Sequence, residues 1–225
     1  MDIIKKLAQE LAIKEEQAKA AVQLIDEGNT IPFIARYRKE MTGALNDETL
    51  RNLHERLLYL RNLEEKKEQV INAITDQGKM TEDLKKKILS AETLVAVDDL
   101  YRPYRPKKQT RATKAKEKGL EPLANILLLQ KTTKSMEEEA AAFVNAEKGV
   151  ANAKEAIAGA KDIIAEMIAD MADYRKSIRN CTMKQGSLVV KAKDEKAESV
   201  YEMYYDFREP LSKVTGYRVL AINRG

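Results

Sequence analysis

The sequence predicts a mainly all-α protein, a multi-helix bundle with a helix-turn-helix-like portion and at most one short β-ribbon. Three observations carry this. Of the 225 residues, 34% are charged and 44% apolar, with nine glycines and five prolines, a balance rich in Ala, Leu, Glu and Lys that favours helix. Apolar residues recur at spacings of three and four over most of the chain. Capping residues stand before these runs and glycines after them.

Ile3, Ile4, Leu7, Ala8 and Leu11 form a first helical stripe. A second helix covers about 14–27, with Ala18, Ala21, Val22 and Ile25 inward and Gly28 as its stop. "NTIPFIARYRKEMTG" then breaks the pattern with Pro32 and Gly43. Asn46 caps a long helix over about 47–76, in which Leu50, Leu53, Leu57 and Leu60 make the stripe and Gly78 follows. Thr81 caps a helix through Ser90, and another runs from about 92 to 101. After a basic stretch, "LEPLANILLLQK" is a short amphipathic helix. Ser135 and Glu138 stand at capping-box spacing.

Asn152 opens the longest expected helix, about 153–182, with Ala156, Ile157, Ala160, Ile163, Ile164, Met167, Ile168, Met171, Tyr174 and Ile178 as its apolar side. "SLVVKAK" (187–193) alternates like a strand, a further helix is expected over 197–205, and "YRVLAINRG" fits helix or strand. The domain reading is 1–130, a helical region with its basic segment at 101–118, and 131–225, a long-helix region.

The lone Cys181 forms no internal bridge and suits a reducing compartment. The first residues carry charges throughout, unlike a signal peptide, and the longest apolar runs are too short or too charged to span a bilayer. The expected location is the cytoplasm, without membrane contact.

One stretch departs from the rest in charge. "YRPYRPKKQTRATKAKEKG" (101–119) holds eight cations against the single acid Glu117, whereas the whole chain carries only +4. As a binding strip, Arg102, Arg105, Lys107, Lys108, Arg111 and Lys114 neutralise phosphates, Tyr101 or Tyr104 stacks on a base or sugar, and the prolines hold Arg102–Pro106 extended. As a linker, its tyrosines dock on the helical core and its cations meet acidic neighbours.

"PFIARYRKE" offers Arg36, Arg38 and Lys39 around Tyr37, either as the turn of a DNA-reading helix pair or as a packing junction. In the second reading Phe33, Ile34 and Tyr37 plug the core and the arginines cap helix C-termini. The row Asp162, Glu166, Asp170 and Asp173 lies along one helix face and does not converge as metal ligands must. His54 has no ligand partners, Cys181 reads as a packing residue, and no Gly-rich phosphate loop is present. No metal, no cofactor and no catalytic residue is expected.

Three stretches, "DEGNTIPFIARYRKEMTG" (26–43), "VDDLYRPYRPKKQTRATKAKEKGLEPLA" (97–124) and "YRVLAINRG" (217–225), resemble the N-terminal region of the bacterial Tex family of transcription accessory proteins. Two departures are Ala44 in "TGALND", where glycine is expected, and "KVTGYR", where a proline-containing turn is commoner. The resemblance implies that an RNase H-like domain, helix-hairpin-helix units and an OB-fold RNA-binding domain follow beyond "LAINRG", so that the chain is a fragment. It further implies an association with nucleic acid and transcription, and together with the basic strip it gives the leading reading, a non-enzymatic helical region that binds RNA or DNA weakly and without sequence preference through backbone phosphates. The rival reading is a scaffold that docks to the remaining domains of its own chain or to transcription-machinery proteins.

Overall fold

Asp2 accepts a hydrogen bond from the Lys5 amide at 3.1 Å and so opens α1 (Ile3–Leu11). The computed structural model describes residues 2–106, 108–194 and 196–224. The chain divides into two compact units, Met1–Tyr104 and Arg105–Gly225, each taken by itself below.

In the first unit, α1 is followed by α2 (Glu15–Asp26), α3 (Ile31–Tyr37), α4 (Asp47–Asp76), α5 (Glu82–Ser90) and α6 (Leu94–Tyr101). Helix α4 is the spine. Its 30 residues span about 45 Å at the α-helical rise. The Asn46 side chain accepts from the Thr49 amide at 2.7 Å, as an N-cap should. Along the spine, Leu50, Leu53, Leu57 and Leu60 join Leu7, Leu24 and Ile34 in one core. Further along, Leu63, Val70 and Ile74 join Ile88 and Val97 in another.

Lys67 falls on the same apolar stripe and is buried. Its ammonium donates to Glu64 Oε1 at 2.8 Å and to the Leu89 carbonyl near the end of α5 at 2.9 Å. The buried charge thus meets both a carboxylate and a helix C-terminus, where cations are favoured.

In the second unit, α7 (Arg111–Glu117), α8 (Glu121–Leu129) and α9 (Met136–Ala141) all pack on α10 (Ala153–Asp170). This core is built from small side chains: Ala112, Ala115, Ala124, Ala140, Ala156 and Ala160 surround Leu120, Leu123, Ile157 and Ile163. A Cβ built on Gly159 of α10 would lie 2.4 Å from Leu120 Cδ1 and 3.3 Å from Ala115 Cβ, so any side chain here would displace the Leu120 methyl and crowd α7. Asn152 caps α10 and Ser135 with Glu138 forms the expected capping box. Then come α11 (Ala172–Gln185), the antiparallel pair β1 (Ser187–Lys191) and β2 (Asp206–Pro210), and α12 (Gly216–Ile222). The fold is mainly all-α with one two-stranded ribbon among the described residues.

The structure corrects five local expectations. The helix expected over 153–182 breaks at Met171, whose φ of −69° and ψ of 118° are extended, giving α10 and α11. Beyond the break no residue of α11 is buried, and Met167, Ile168, Met171, Tyr174 and Ile178, expected to face inward, are exposed. Residues 197–205 form turns and one short 3₁₀ segment, Glu202–Tyr204, and lead into β2. The prolines do not extend residues 102–104, because Arg102–Tyr104 is a 3₁₀ turn continuing α6. A φ near −65° serves a 3₁₀ turn and an extended segment equally, so proline alone does not choose between them. Cys181 is exposed rather than packed. Among the described residues, no helix is long and apolar enough to cross a membrane.

Candidate functional site

The cationic residues that follow the proline pair are presented by α7. Thr110 Oγ1 accepts from the Thr113 amide at 3.0 Å and starts the helix. Ala112 and Ala115 are buried against α10, while Arg111, Lys114 and Lys118 are exposed. The 3–4 spacing of these cations places them on one face, as the 3–residue spacing of the alanines places those on the other.

A shallow groove of about 240 Å³ lies here, lined by Arg111, Lys114, Lys118, Glu155 and Asp162 together with the Gly149–Val150 turn. Arg111 Nε stands 3.7 Å from Asp162 Oδ1, yet its side chain remains 87% exposed. This contact leaves most of the guanidinium fork open to solvent. Lys118 Nζ donates to the Gly149 carbonyl at 2.8 Å. Lys108 and Arg105 are exposed, and Lys107 lies outside the described residues. Lys118 was not singled out as a site residue from sequence, although its place one turn beyond Lys114 was the signal for it.

In the first unit, Arg102 is exposed on the 3₁₀ turn, and Tyr101 and Tyr104 are half-buried against the second core of α4. Gln77 Nε2 donates to the Tyr104 carbonyl at 3.0 Å and ties this turn to the end of α4.

The "PFIARYRKE" segment is α3 and the turn after it. Ile34 is fully buried, as a core plug should be, but Phe33 is 37% and Tyr37 65% exposed. Their rings lie 5.2 Å apart, tilted by 46°, and the Arg38 guanidinium sits 5.3 Å from the Phe33 centroid. The turn is held from below. Gln17 Nε2 donates to the carbonyls of Thr42 and Gly43 at 3.2 and 2.9 Å, and buried Thr42 donates to the Arg38 carbonyl at 3.3 Å. Arg36 and Lys39 are exposed.

Two bidentate ion pairs tie α4 to its neighbours. Arg56 donates through Nη2 to Glu10 at 2.8 Å, and both terminal nitrogens of Arg61 donate to Asp26 at 2.7 Å. Hydrogen bonding from these guanidiniums holds the Glu10 and Asp26 carboxyls below their ordinary range. The acidic row on α10 and α11 stays spread along the helices, with Asp162 facing Arg111 and Asp170 buried. Among the described residues, no three His, Cys, Asp or Glu side chains gather as a metal ion would require.

Residues 1–75 match the Tex-like protein N-terminal domain, and residues 131–225 match the Tex central region-like family. Protein YhgF of Escherichia coli is 46% identical over 222 residues, covering 97% of this chain and 28% of that protein. Transcriptional accessory protein Tex of Neisseria gonorrhoeae is 42% identical over 228 residues, covering 100% of this chain and 30% of that protein. The human S1 RNA-binding domain-containing protein 1 is 31% identical over 234 residues, covering 100% of this chain and 23% of that protein. The chain therefore spans less than a third of the length of these relatives. With both regional families matched in order along it, the chain belongs to the Tex-like family.

Proposed function

We propose that this chain is a non-catalytic, cytoplasmic helical region of a transcription accessory protein that binds nucleic acid weakly through backbone phosphates. The observation that carries the reading is α7. Its alanine face is locked onto α10, so Arg111, Lys114 and Lys118 stand on a fixed surface, with Lys108 just before them. Cations on a packed helix lose less freedom on meeting phosphates than cations on a loose tail. The names of two relatives, one a transcriptional accessory protein and one an S1 RNA-binding domain-containing protein, support the same direction.

Nothing in this surface reads base edges, so binding is sequence-indifferent, with Kd of about 10⁻⁴–10⁻⁶ M at physiological salt. The test is a titration of a random oligonucleotide over a salt series. Reversing Lys108, Arg111 and Lys114 to Glu should flatten the slope of log K against log salt by about 2 to 3 units. Unchanged binding by the reversed variant overturns the phosphate reading.

A second reading has its own observation. Met167, Ile168, Met171, Tyr174, Ile178 and Met183 leave an apolar run exposed on the end of α10 and on α11. This favours a scaffold for protein or interdomain contacts, for which the substitution of Tyr174 and Ile178 by Ser should abolish binding while oligonucleotide affinity stays as before.

A further inference from the structure

From the α3 cluster we infer a second contact surface, in the first unit, that stacks an unpaired nucleobase of a single strand on Tyr37. The inference rests on the reading that the chain binds nucleic acid, but it does not use α7. Tyr37 is the most exposed of the two α3 rings at 65%, and Phe33 braces it at 5.2 Å. Phe33 is in turn flanked by the Arg38 guanidinium, which orders the cluster through a cation–π contact.

A tyrosine on the surface of a soluble protein is common; a ring braced by a second ring that itself carries a guanidinium at 5.3 Å is a narrower arrangement. Arg36, Arg38 and Lys39 stand within two residues of Tyr37, and Glu40 is the single acid of the stretch. Among the described residues, neither Arg36 nor Lys39 is engaged in an ion pair. A partner that suits this surface is flat and apolar at one point and anionic immediately beside it. A base with its flanking phosphates has that form, and the π-face that stacks is present on every base. In a duplex both faces of each base are covered by its neighbours, so the surface selects single strands.

The surface is also preformed. Thr42 is buried and bonded to the carbonyls of Arg38 and Lys39, Gln17 grips the Thr42 and Gly43 carbonyls, and the backbone turns back through two consecutive left-handed residues, Gly43 and Ala44. A non-glycine residue held at positive φ marks a segment whose shape the surroundings impose. The cations on this turn therefore start close to their bound positions.

The experiment uses the full 225-residue chain and an oligonucleotide carrying 2-aminopurine, whose fluorescence is quenched when it stacks, presented as a single strand and as a duplex. Quenching is expected with the single strand and not with the duplex. In the double variant F33L/Y37L, which keeps the apolar volume and removes the rings, quenching should disappear. Single-strand affinity should fall about 5- to 150-fold, the equivalent of about 1–3 kcal/mol lost from one stacked base, with the salt slope unchanged. R36Q/K39Q should instead flatten the slope by about one unit or more.

Circular dichroism of each variant establishes that it is folded. Should F33L/Y37L fail that check, Tyr37→Ser alone carries the test, since Tyr37 is mostly exposed. Full quenching by the ring variants overturns the inference, and equal quenching with duplex overturns the selection for single strands. The α7 reversal separates the two proposals. If it abolishes binding while F33L/Y37L does nothing, the phosphate reading stands and this one falls. If only the ring variants matter, α7 is not the interface and this surface is.

Discussion

The two units solve the packing problem with opposite materials. The first buries long aliphatic side chains, seven of them from α4 alone: Leu50, Leu53, Leu57, Leu60, Leu63, Val70 and Ile74. The second buries alanines, with a half-buried glycine among them where α7 meets α10. Large side chains hold helices apart and fill the gap; small ones let backbones approach until there is no gap. The first core is therefore vulnerable to losing volume and the second to gaining it. The contrast bears on function, because the helix seated on small residues is the one that carries the proposed phosphate contacts.

The largest effect expected is in the first unit. Leu57 is 1% exposed at the middle of the spine, and Leu57→Ala should cost about 3–4 kcal/mol by removing its buried methyls and leaving a cavity. Urea denaturation followed by circular dichroism measures this. A loss under about 1 kcal/mol would mean that the leucine row is not the load on which the first unit stands.

The matching substitution in the second unit adds volume. Gly159→Leu should cost about 2 kcal/mol through overpacking against Leu120 and Ala115, although leucine is the better helix former by close to 1 kcal/mol. It should also lower oligonucleotide affinity if α7 is displaced from α10. A neutral Gly159→Leu would show that the close approach is not needed. Loss of stability with unchanged affinity would uncouple the seat from the cations it presents.

Acid should sharpen the comparison further. Glu10 and Asp26, both in the first unit, have carboxyls lowered by hydrogen bonds from Arg56 and Arg61. A carboxyl lowered in the folded state contributes stability that is fully present above its ordinary pKa of about 4 and is lost as pH falls through the lower folded value. The first unit should therefore lose stability below about pH 4. Glu10→Gln and Asp26→Asn should each flatten that loss at a cost at neutral pH of about 1 kcal/mol or less, since the pairs are partly exposed. The check is the denaturation midpoint at pH 7 and pH 3.5 for the parent and both variants. Parallel behaviour of all three would remove the pairs from the account.

How much of this was legible in the sequence follows the same division. The α4 spine was readable because large apolar residues at 3–4 spacing leave one helical answer, and Asn46 marked its start. Lys67 was missed, although it occupies the stripe position between Leu63 and Val70; its burial depends on the Leu89 carbonyl, which tertiary structure alone supplies. The break at Met171 carried no proline or glycine to announce it. The apolar residues beyond it kept a helical period, and period does not say whether a neighbour is present to cover the stripe. At the candidate site, the charge of the strip and the exposure of Arg111 and Lys114 were readable, while the seat on α10 depended on Gly159, a single residue in a distant segment. The reading of Phe33 and Tyr37 as core plugs failed for a related reason. In a seven-residue helix, Ile34 fills the place available in the core with Ile31 and Ala35 packed at its edge, and the rings of Phe33 and Tyr37 are left outside.

The smallest effect concerns Ala44, where the sequence departs from the glycine expected in this family. The structure puts Ala44 at φ 61°, directly after Gly43 at φ 60°, so a residue with a Cβ occupies backbone territory that suits glycine. Holding a non-glycine residue there costs about 1 kcal/mol. Ala44→Gly removes that strain, but it also adds freedom to the unfolded chain worth about 0.5–1 kcal/mol. The two nearly offset, and a net gain of about 0.5 kcal/mol or less is expected. The backbone bond from the Ala44 amide to the Lys39 carbonyl, at 2.8 Å, is available to glycine equally, so the turn beneath Tyr37 should keep its shape and its base-stacking signal. Thermal denaturation reads the first effect and 2-aminopurine quenching the second. A variant that gains stability yet loses quenching would mean that the strain at Ala44, and not the hydrogen bonds from Gln17 and Thr42, is what keeps the Tyr37 surface in place.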